Sequence, residues 1–413
     1  MTGIHGATAI ASLALIVLAS ACTGSTPSAT PTPPVHSSIP TAIESPTPSP
    51  SPSPVTSTSA SFDLLPVPQP ADFVSPIACT GSIGASDPVA IVQLHAAQFG
   101  TGPFVLRDYA NPSAPRTACT IAGGYGVVRQ LIDARHMVIA GSQGSLAVVD
   151  LPELRYHWFR LPSKPDEQGA SFVAVSPGLD EIAWLSSNMD GTVRQVHLTT
   201  ASGDRAVASL RPVGGRCGSP EDSNQGAYAR SGTSLYILDQ PQMPDNTLLV
   251  VQGSSVAFSL VPPAGGWPAS QFPGMAVWSP ISDTLFYRRG SDVWKWTAKS
   301  GAQRYLAGVS WYYPSITPDG THLAYVVRRP DGLHDLYLVD LTRAGTPQRI
   351  GEGTRNGPVF LNNTQLWYLT DSAGGCTGGA TPKPLIYNLS DASEAASVID
   401  SVGYVWPATS SNH

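Results

Sequence analysis

The sequence is poor in charge, and its first quarter carries almost none. Only 13% of the residues are charged, and neither lysine nor arginine occurs before Arg107. With a formal net charge of −6 the chain lacks the basic surface that nucleic-acid binding requires, so we expect no nucleic-acid partner. Two arginine pairs, Arg288-Arg289 and Arg328-Arg329, fall at predicted strand ends, where we expect solvated edge positions rather than a binding patch.

Motifs of the common hydrolases and nucleotide-binding enzymes are missing too. The sequence contains no G-x-S-x-G, no H-E-x-x-H and no P-loop. Its histidines are scattered singly and its cysteines show no C-x-x-C spacing, so we predict neither a metal site nor a cofactor. We therefore assign no catalytic residue and favour a role other than catalysis.

The chain opens with one apolar run, Ala7 to Ala21, of 15 residues. That length is too short to span a bilayer comfortably but suits the core of a signal peptide. The small residues that follow Leu18 and precede Cys22 resemble the lipobox of exported bacterial lipoproteins, although Ala19 stands where leucine is usual. The resemblance implies a signal peptide over residues 1–22 and a lipidated, palmitate-bearing Cys22 on the outer face of the cytoplasmic membrane. The alternative is a plain secretory signal cut near Ala21.

Residues 23–70 consist almost entirely of serine, threonine and proline, with Glu44 and Asp63 as the charged residues. Such a segment buries too little apolar surface to offset the entropy lost on ordering. We therefore predict a disordered tether, and place the folded domain at residues 71–413.

The most regular part of that domain is Trp311 to Thr342, which reads WYYPSITPDGTHLAYVVRRPDGLHDLYLVDLT. Runs of aliphatic and aromatic residues predict strands, while Asp319-Gly320 and Asp331-Gly332 supply the positive φ that tight turns need. The pattern S-x-(S/T)-P-D-G-x-x-(L/I)-A-(Y/F) with its second hairpin resembles the repeat of TolB-type, WD-like β-propellers. The resemblance implies the fold and says nothing of activity.

Comparable strand quartets recur every forty to fifty residues, as propeller blades do. They cover the following ranges: Val127 to Leu161, Ser171 to Leu210, Gly226 to Leu260, Met275 to Leu306 and Pro358 to Asp400. Phe73 to Thr120 predicts one more blade, which the last strand, Gly403 to Trp406, would close. We therefore predict an all-β single propeller of seven four-stranded blades, with six or eight as alternatives.

Besides Cys22, the chain has four cysteines, an even number that suggests two disulfides in an exported protein. Three pairings are possible. Cys79 and Cys119 bracket the first predicted blade, which a covalent link would hold together, so we favour that pair. It leaves Cys217 with Cys376, in two loops that emerge on one face of a propeller.

Loops that join the outermost strand of one blade to the innermost strand of the next converge around the channel of a propeller. Aromatic, acidic and arginine residues in or beside these loops are typical of recognition surfaces. Our candidates for a binding face are Tyr125, Glu221, Asp222, Trp267, Trp311, Tyr312, Glu352 and Arg355. The alternative for the aromatic residues is that they cap the apolar core between blades.

These observations favour a non-catalytic lipoprotein of the cell envelope whose propeller face binds a protein, peptide or glycan. Propeller enzymes such as lyases or glycan hydrolases, the alternative, place several carboxylates or histidines near the axis. The predicted innermost strands, such as FVAVS, MAVWS and PVFL, offer almost none. A purely structural envelope component is a third possibility. The sequence does not identify the partner.

Overall fold

The computed structural model describes residues 77–94, 103–122, 128–140, 145–162, 167–168, 173–188, 191–212, 225–240, 246–268, 271–343, 345–351, 353–370 and 382–407. These residues form thirty strands, and among them there is no helix long and apolar enough to cross a membrane. The strands make seven antiparallel sheets arranged in a ring, so the predicted seven-bladed β-propeller is confirmed. Cys22 and residues 23–70 lie outside the described residues.

Blade 1 combines strands from both ends of the folded domain. From the channel outward its strands are β30 (Ile399–Trp406), β2 (Val89–Leu94), β3 (Phe104–Asp108), β4 (Arg116–Ile121) and a fifth, β1 (Ile77–Cys79). Because β30 pairs with β2, the last strand closes the ring onto the first blade, as predicted.

The other blades take their strands in chain order from the channel outward. Blade 2 contains β5 (Val128–Leu131), β6 (His136–Ala140), β7 (Ser145–Asp150) and β8 (Arg155–Arg160). Blade 3 contains β10 (Val173–Val175), β11 (Ile182–Asn188), β12 (Arg194–Thr200) and β13 (Gly203–Leu210), with the short β9 (Glu167–Gln168) paired to β11. Blade 4 contains β14 (Gln225–Tyr228), β15 (Ser234–Asp239), β16 (Thr247–Gln252) and β17 (Ser255–Leu260).

Blades 5 to 7 follow the same order. Blade 5 contains β18 (Pro273–Trp278), β19 (Leu285–Arg289), β20 (Asp292–Thr297) and β21 (Gly301–Leu306). Blade 6 contains β22 (Trp311–Ile316), β23 (His322–Arg328), β24 (His334–Asp340) and β25 (Gln348–Arg349). Blade 7 contains β26 (Arg355–Phe360), β27 (Gln365–Thr370), β28 (Pro384–Asn388) and β29 (Ser393–Ala396).

Burial changes systematically across each blade, and the sequence follows it. A middle strand packs against both neighbouring blades, so β15 (SLYILD) is buried along its whole length. An outermost strand faces solvent, so β29 (SEAA) is exposed throughout. Continuous apolar runs therefore mark the middle strands and polar sequences mark the rim.

The hydrophobic core lies between the blades rather than at one centre. One cluster joins blades 3 and 4 through residues such as Leu185 and Ile237, and another joins blades 5 and 6 through Phe286 and Leu323. Each fully buried aliphatic side chain contributes about 1.5–3 kcal/mol. Stability therefore depends on every blade having both neighbours, which ring closure by β30 provides.

A polar contact also crosses each of the seven blade interfaces. The pairs, in ring order from blades 1 and 2, are Tyr404 with Val128, Gln130 with Val175, Arg194 with Asp239, Tyr236 with Ala276, Trp311 with Met275, Ser315 with Phe360 and Trp367 with Ile399. Six of them join a side chain to a neighbouring backbone group, and the third is an ion pair. These contacts fix the relative height of adjacent blades, because a slipped blade would leave buried polar groups unpaired.

The disulfide favoured from the sequence, Cys79–Cys119, is present. The antiparallel register of β1 and β4 places the two cysteines directly opposite one another. The bond therefore fastens the extra outer strand to blade 1, the blade on which the ring closes. Cys217 and Cys376 lie outside the described residues, so their pairing stays a prediction.

Candidate functional site at the upper channel mouth

We call the face on which the innermost strands begin the upper face. The innermost strands line the channel of a propeller, so their first residues surround its upper mouth. Of the residues predicted for a binding face, Trp267, Trp311, Tyr312 and Arg355 are described and lie on this side of the ring. The predicted residues Tyr125, Glu221, Asp222 and Glu352 lie outside the described residues.

Trp311, the first residue of β22, is completely buried. Its Nε1–H donates to the carbonyl of Met275 in blade 5 at 3.2 Å, and its ring lies 5.9 Å from that of Tyr325. The packing alternative considered for the aromatic residues therefore describes Trp311. Its ring holds blades 5 and 6 together and is out of reach of a partner.

Trp267 lies in the loop between blades 4 and 5 and is half-buried. Its Nε1–H donates to the carbonyl of Asn246 at 2.7 Å, and the Asn246 amide donates to the carbonyl of Pro273 at 2.8 Å. The loop is thus anchored to the starts of β16 and β18. Trp267 keeps part of its surface exposed at the rim of the mouth.

The innermost strands of blades 5, 6 and 7 each contain a β-bulge near their upper end. The register breaks between Gly274 and Ala276 in β18, between Tyr312 and Ser315 in β22, and between Asn356 and Val359 in β26. The residue three positions before the end of each of these strands lies at the bulge. In all three blades this residue adopts a left-handed backbone conformation.

The residues at this position are Met275, Tyr313 and Gly357, with φ of 36°, 51° and 59°. Glycine accepts such values freely, whereas for methionine and tyrosine they cost about 1–3 kcal/mol each. Bulges re-aim side chains and are common beside functional sites. Met275 and Tyr313 lie at the upper end of their strands and are partly exposed, although both also pack against apolar clusters between blades.

Beside these bulges lies Arg288, which the sequence interpretation placed on a solvated edge. That expectation is wrong, since Arg288 is only 5% exposed, while Arg328 and Arg329 are exposed as predicted. Its guanidinium carbon sits 4.6 Å from the ring centre of Tyr312 and 5.1 Å from that of Phe272. Because β19 is the second strand of its blade, packing between blades 5 and 6 covers this strand end.

Arg355, the first residue of β26, is buried and belongs to a polar cluster of blade 7. Its Nε and Nη2 donate to Glu394 at 3.2 Å and 2.8 Å, and the Tyr368 hydroxyl donates to the same carboxylate. Burial disfavours a charged Arg355, but the hydrogen bond and charge of Glu394 outweigh it and raise the pKa of Arg355. Burial, and then Glu394, also raise the pKa of Tyr368. The raised pKa values keep Arg355 charged and Tyr368 neutral around neutral pH.

Gln225, at the start of β14, extends the mouth into blade 4. Its Nε2 approaches the Met275 sulfur at 4.0 Å, while its Oε1 is buried without a hydrogen-bond partner. The mouth thus combines apolar, aromatic and amide groups with two buried arginines, Arg288 and Arg355. Groups of three or more His, Cys, Asp or Glu side chains able to hold a metal ion do not occur among the described residues.

Sequence reasoning missed Gln225, Met275, Tyr313 and Arg288 as members of this site. A signal was present for the bulges, because PGMAVWSP, YYPSITP and NGPVFLN align on the turn that follows each strand. In each copy a glycine or proline lies beside the left-handed position, and such residues mark bulges within strands. The burial of Arg288 had no comparable local signal.

No family model matches the sequence, and no curated protein matches it. Among solved structures, an oligogalacturonate lyase in complex with manganese is similar with a TM-score of 0.48 and 10% identity, covering 80% of this chain and 96% of the lyase. Porphyromonas gingivalis dipeptidyl peptidase 4 has a TM-score of 0.47 and 8% identity, covering 76% of this chain and 50% of the peptidase. A TolB-type protein from Agrobacterium tumefaciens has a TM-score of 0.39 and 10% identity, covering 79% and 91%. The likeness to these structures carries no conclusion about activity.

Proposed function

We propose that this chain is an exported lipoprotein whose propeller binds a protein, peptide or glycan partner at the upper mouth of its channel, without catalysis. One observation carries the proposal. Three consecutive innermost strands bulge at the same position, and two of them hold bulky residues, Met275 and Tyr313, in a left-handed backbone. Strain of this kind persists where the surrounding structure maintains it, and it clusters at ligand sites.

The side chains at the mouth support binding. Tyrosine, methionine and arginine are enriched at protein interfaces, and Tyr312, Tyr313 and Met275 are half-exposed there. Tyrosine adds a large contact area at little cost in side-chain entropy. Tyrosine and methionine side chains close to an arginine suit an occupant with both apolar and charged parts.

A photo-crosslinking amino acid at Asn356, which is half-exposed on β26, tests the proposal in intact cells. The matched control is Ile281, 59% exposed in the turn on the opposite face. We expect a defined crosslinked species from position 356 alone, lost when Tyr312→Ala and Tyr313→Ala are combined. Equal crosslinking from both faces, or a species that survives the double variant, would contradict the proposal.

The anchor has its own test. Cys22→Ala removes the residue that the resemblance to lipoproteins assigns to lipidation. We expect the wild-type chain to incorporate a radiolabelled fatty acid and to sediment with membranes, and Cys22→Ala to lose both properties. A Cys22→Ala chain that still carries the label would overturn the lipoprotein assignment and leave the binding face untouched.

A further inference from the structure

The outermost strand of each blade has an edge that faces solvent, and the outermost strand of blade 4 differs from the others. An edge strand exposes backbone N–H and C=O groups to which another chain can bind, and proteins usually prevent this with charged side chains or very short strands. Five of the other outermost strands carry charged residues: Arg155 and Arg160 in β8, Asp204 and Arg205 in β13, Arg304 in β21, Arg349 in β25 and Glu394 in β29. The fifth strand of blade 1, β1, has only three residues. In contrast, β17 is six residues long and contains no charge.

The lack of charge extends well beyond β17. Residues 246–282 contain no aspartate, glutamate, lysine or arginine. The strand is also accessible, because Val256 is 39% exposed and Val261, directly after the strand, is 54% exposed. Among the described residues, β17 pairs with β16 on one side and with no strand on the other. Its outer edge is therefore open to solvent and has no charged side chain of its own.

A bulge and two prolines limit the part of this edge that can pair. The register of β17 against β16 shifts once, between Val256 and Phe258. Comparable shifts occur between β12 and β13 and between β20 and β21, so the bulge does not set β17 apart. Pro262 and Pro263 lack the N–H that a ladder needs. A regular edge is left over residues 258–261.

We propose that β17 pairs antiparallel with β17 of a second copy of this chain. An antiparallel strand pair is symmetric about a two-fold axis, so an uncharged edge can pair with itself, whereas a charged edge brings like charges together. Residues that lie opposite one another in a sheet point to the same face. In residues 258–260 this condition is met when Ser259 lies opposite Ser259 of the second copy, with Phe258 opposite Leu260. Phe258 and Leu260 both pack into the core between blades 4 and 5, whereas Ser259 is exposed.

The paired strands form a small contact. Stable complexes in solution bury about 1,200–2,000 Å², more than two short strands supply. Copies that share one membrane, as the proposed lipoprotein does, meet at a raised effective concentration, so that a smaller contact suffices. The inference rests on the proposed function for this point alone, because the pairing itself involves blade 4 and not the channel mouth.

A cysteine at position 259 tests the geometry in intact cells. With Ser259→Cys the two cysteines face one another, at the Cα separation that a disulfide can bridge. Gln303→Cys is the matched control, since Gln303 is equally exposed on the outermost strand β21, beside Arg304. We expect a species of twice the chain mass on a non-reducing gel with Ser259→Cys, lost on reduction and absent with Gln303→Cys. Two differently tagged Ser259→Cys copies should then be isolated together.

A charge at the same position tests the pairing without a covalent bond. Ser259→Glu places two like charges opposite one another while leaving the buried side chains of β17 in place. Förster transfer between two labelled full-length copies in intact cells, measured against surface density, reports association. We expect Ser259→Glu to need about tenfold higher density than wild type for half-maximal transfer, and Gln303→Glu to behave like wild type.

A Ser259→Cys chain without a linked dimer, or a Ser259→Glu chain that associates like wild type, would overturn the proposal. A species crosslinked at position 259 that contains a different protein would overturn the assignment to a second copy. The partner crosslinked at position 356 provides a separate readout. Loss of that partner with the 259-linked dimer intact would end the proposed binding face and leave this inference standing.

Discussion

Two buried arginines of the propeller differ in their partners: one forms an ion pair with a described carboxylate and the other does not. At the interface of blades 3 and 4, Arg194 is 3% exposed and its Nη1 and Nη2 donate to the Asp239 carboxylate at 2.8 Å and 2.7 Å. At the interface of blades 5 and 6, Arg288 is equally deep but forms no ion pair with a described residue. The innermost strands at the two interfaces also differ. Strands β10 and β14 of blades 3 and 4 keep a regular register, whereas β18 and β22 of blades 5 and 6 contain bulges.

The proposed function interprets this difference as one between a structural interface and a binding one. An ion pair between Arg194 and Asp239 joins blades 3 and 4, whereas Arg288 forms no ion pair with a described residue and lies beside the strained backbone of Met275. Proteins commonly depart from the rules of stable folding, such as the pairing of buried charges, at their functional sites. The four predictions below test whether this contrast is real.

The largest effect should come from breaking the ion pair between blades 3 and 4. Arg194→Met removes the cation that pairs with the buried Asp239 carboxylate, and we expect a loss of about 3–5 kcal/mol in the free energy of unfolding. Urea denaturation measures it. Arg205→Met is the control, because the Arg205–Glu181 pair at 3.3 Å is exposed on the arginine side and should contribute less than about 1 kcal/mol. Similar losses in both variants would contradict the structural role given to Arg194.

The bulge of blade 7 gives the next largest effect. Gly357 holds a φ of 59° at the position where blades 5 and 6 carry Met275 and Tyr313. Gly357→Ala should lower the free energy of unfolding by about 1–2 kcal/mol, because alanine resists this conformation. Gly357→Asn should lower the free energy of unfolding by less, since asparagine tolerates a left-handed backbone better than alanine does. If the two variants are as stable as wild type, the left-handed backbone carries no strain and the argument from Met275 weakens.

Arg288→Met should change stability in the opposite direction to Arg194→Met. Removing an unpaired buried charge while keeping an apolar side chain of similar length should raise the free energy of unfolding by about 1 kcal/mol, after the loss of the two cation–π contacts. The same urea experiment measures it without any ligand. A loss comparable to that of Arg194→Met would mean that Arg288 is a structural residue.

The smallest effect concerns pH at the interface of blades 3 and 4. Burial raises the pKa of Glu181, whose carboxylate accepts a hydrogen bond from the Tyr228 hydroxyl at 2.9 Å. The folded chain thus holds this proton more tightly than the unfolded chain. Protonated Glu181 therefore stabilises the folded chain most at low pH. This stabilisation is lost as pH rises from the ordinary glutamate pKa, about 4.3, through the raised pKa of the folded chain.

Glu181→Gln, which cannot ionise, should therefore gain stability relative to wild type over that pH range. Urea midpoints measured from pH 4 to pH 8, on the order of the range in which a raised carboxyl group titrates, report it. Glu153→Gln, at an exposed carboxylate, serves as the control and should run parallel to wild type. Parallel curves for all three chains would show that burial of Glu181 has no consequence for folding.

Local chemistry fixed much of the architecture in advance. Thr317-Pro318-Asp319-Gly320 predicted a turn, and Gly320 adopts the positive φ, 69°, that the turn requires. Cys79 and Cys119 bracket a blade, and they are bonded. Both outcomes depend on residues close together in the chain or in the repeat, and short-range preferences are what a sequence records most directly.

The candidate site depends on contacts between blades, which no repeat in the sequence encodes. Trp311 and Tyr312 are neighbours in one strand, yet one is buried and the other half-exposed, because alternate side chains of β22 face different neighbours. Arg288 and Arg289 differ for the same reason. Without the relative placement of blades 5 and 6, a strand-end arginine is more reasonably placed in solvent.

By itself, then, the sequence determined the blades: the strand quartets, their turns, the closing strand and one disulfide follow from side-chain period, turn residues and repeat length. Only the tertiary structure decided which cations are paired and where the backbone is strained. The physical reason is that hydrogen bonding and turn preference act within a few residues, whereas desolvation of a charge depends on every element packed around it, whatever its distance along the chain.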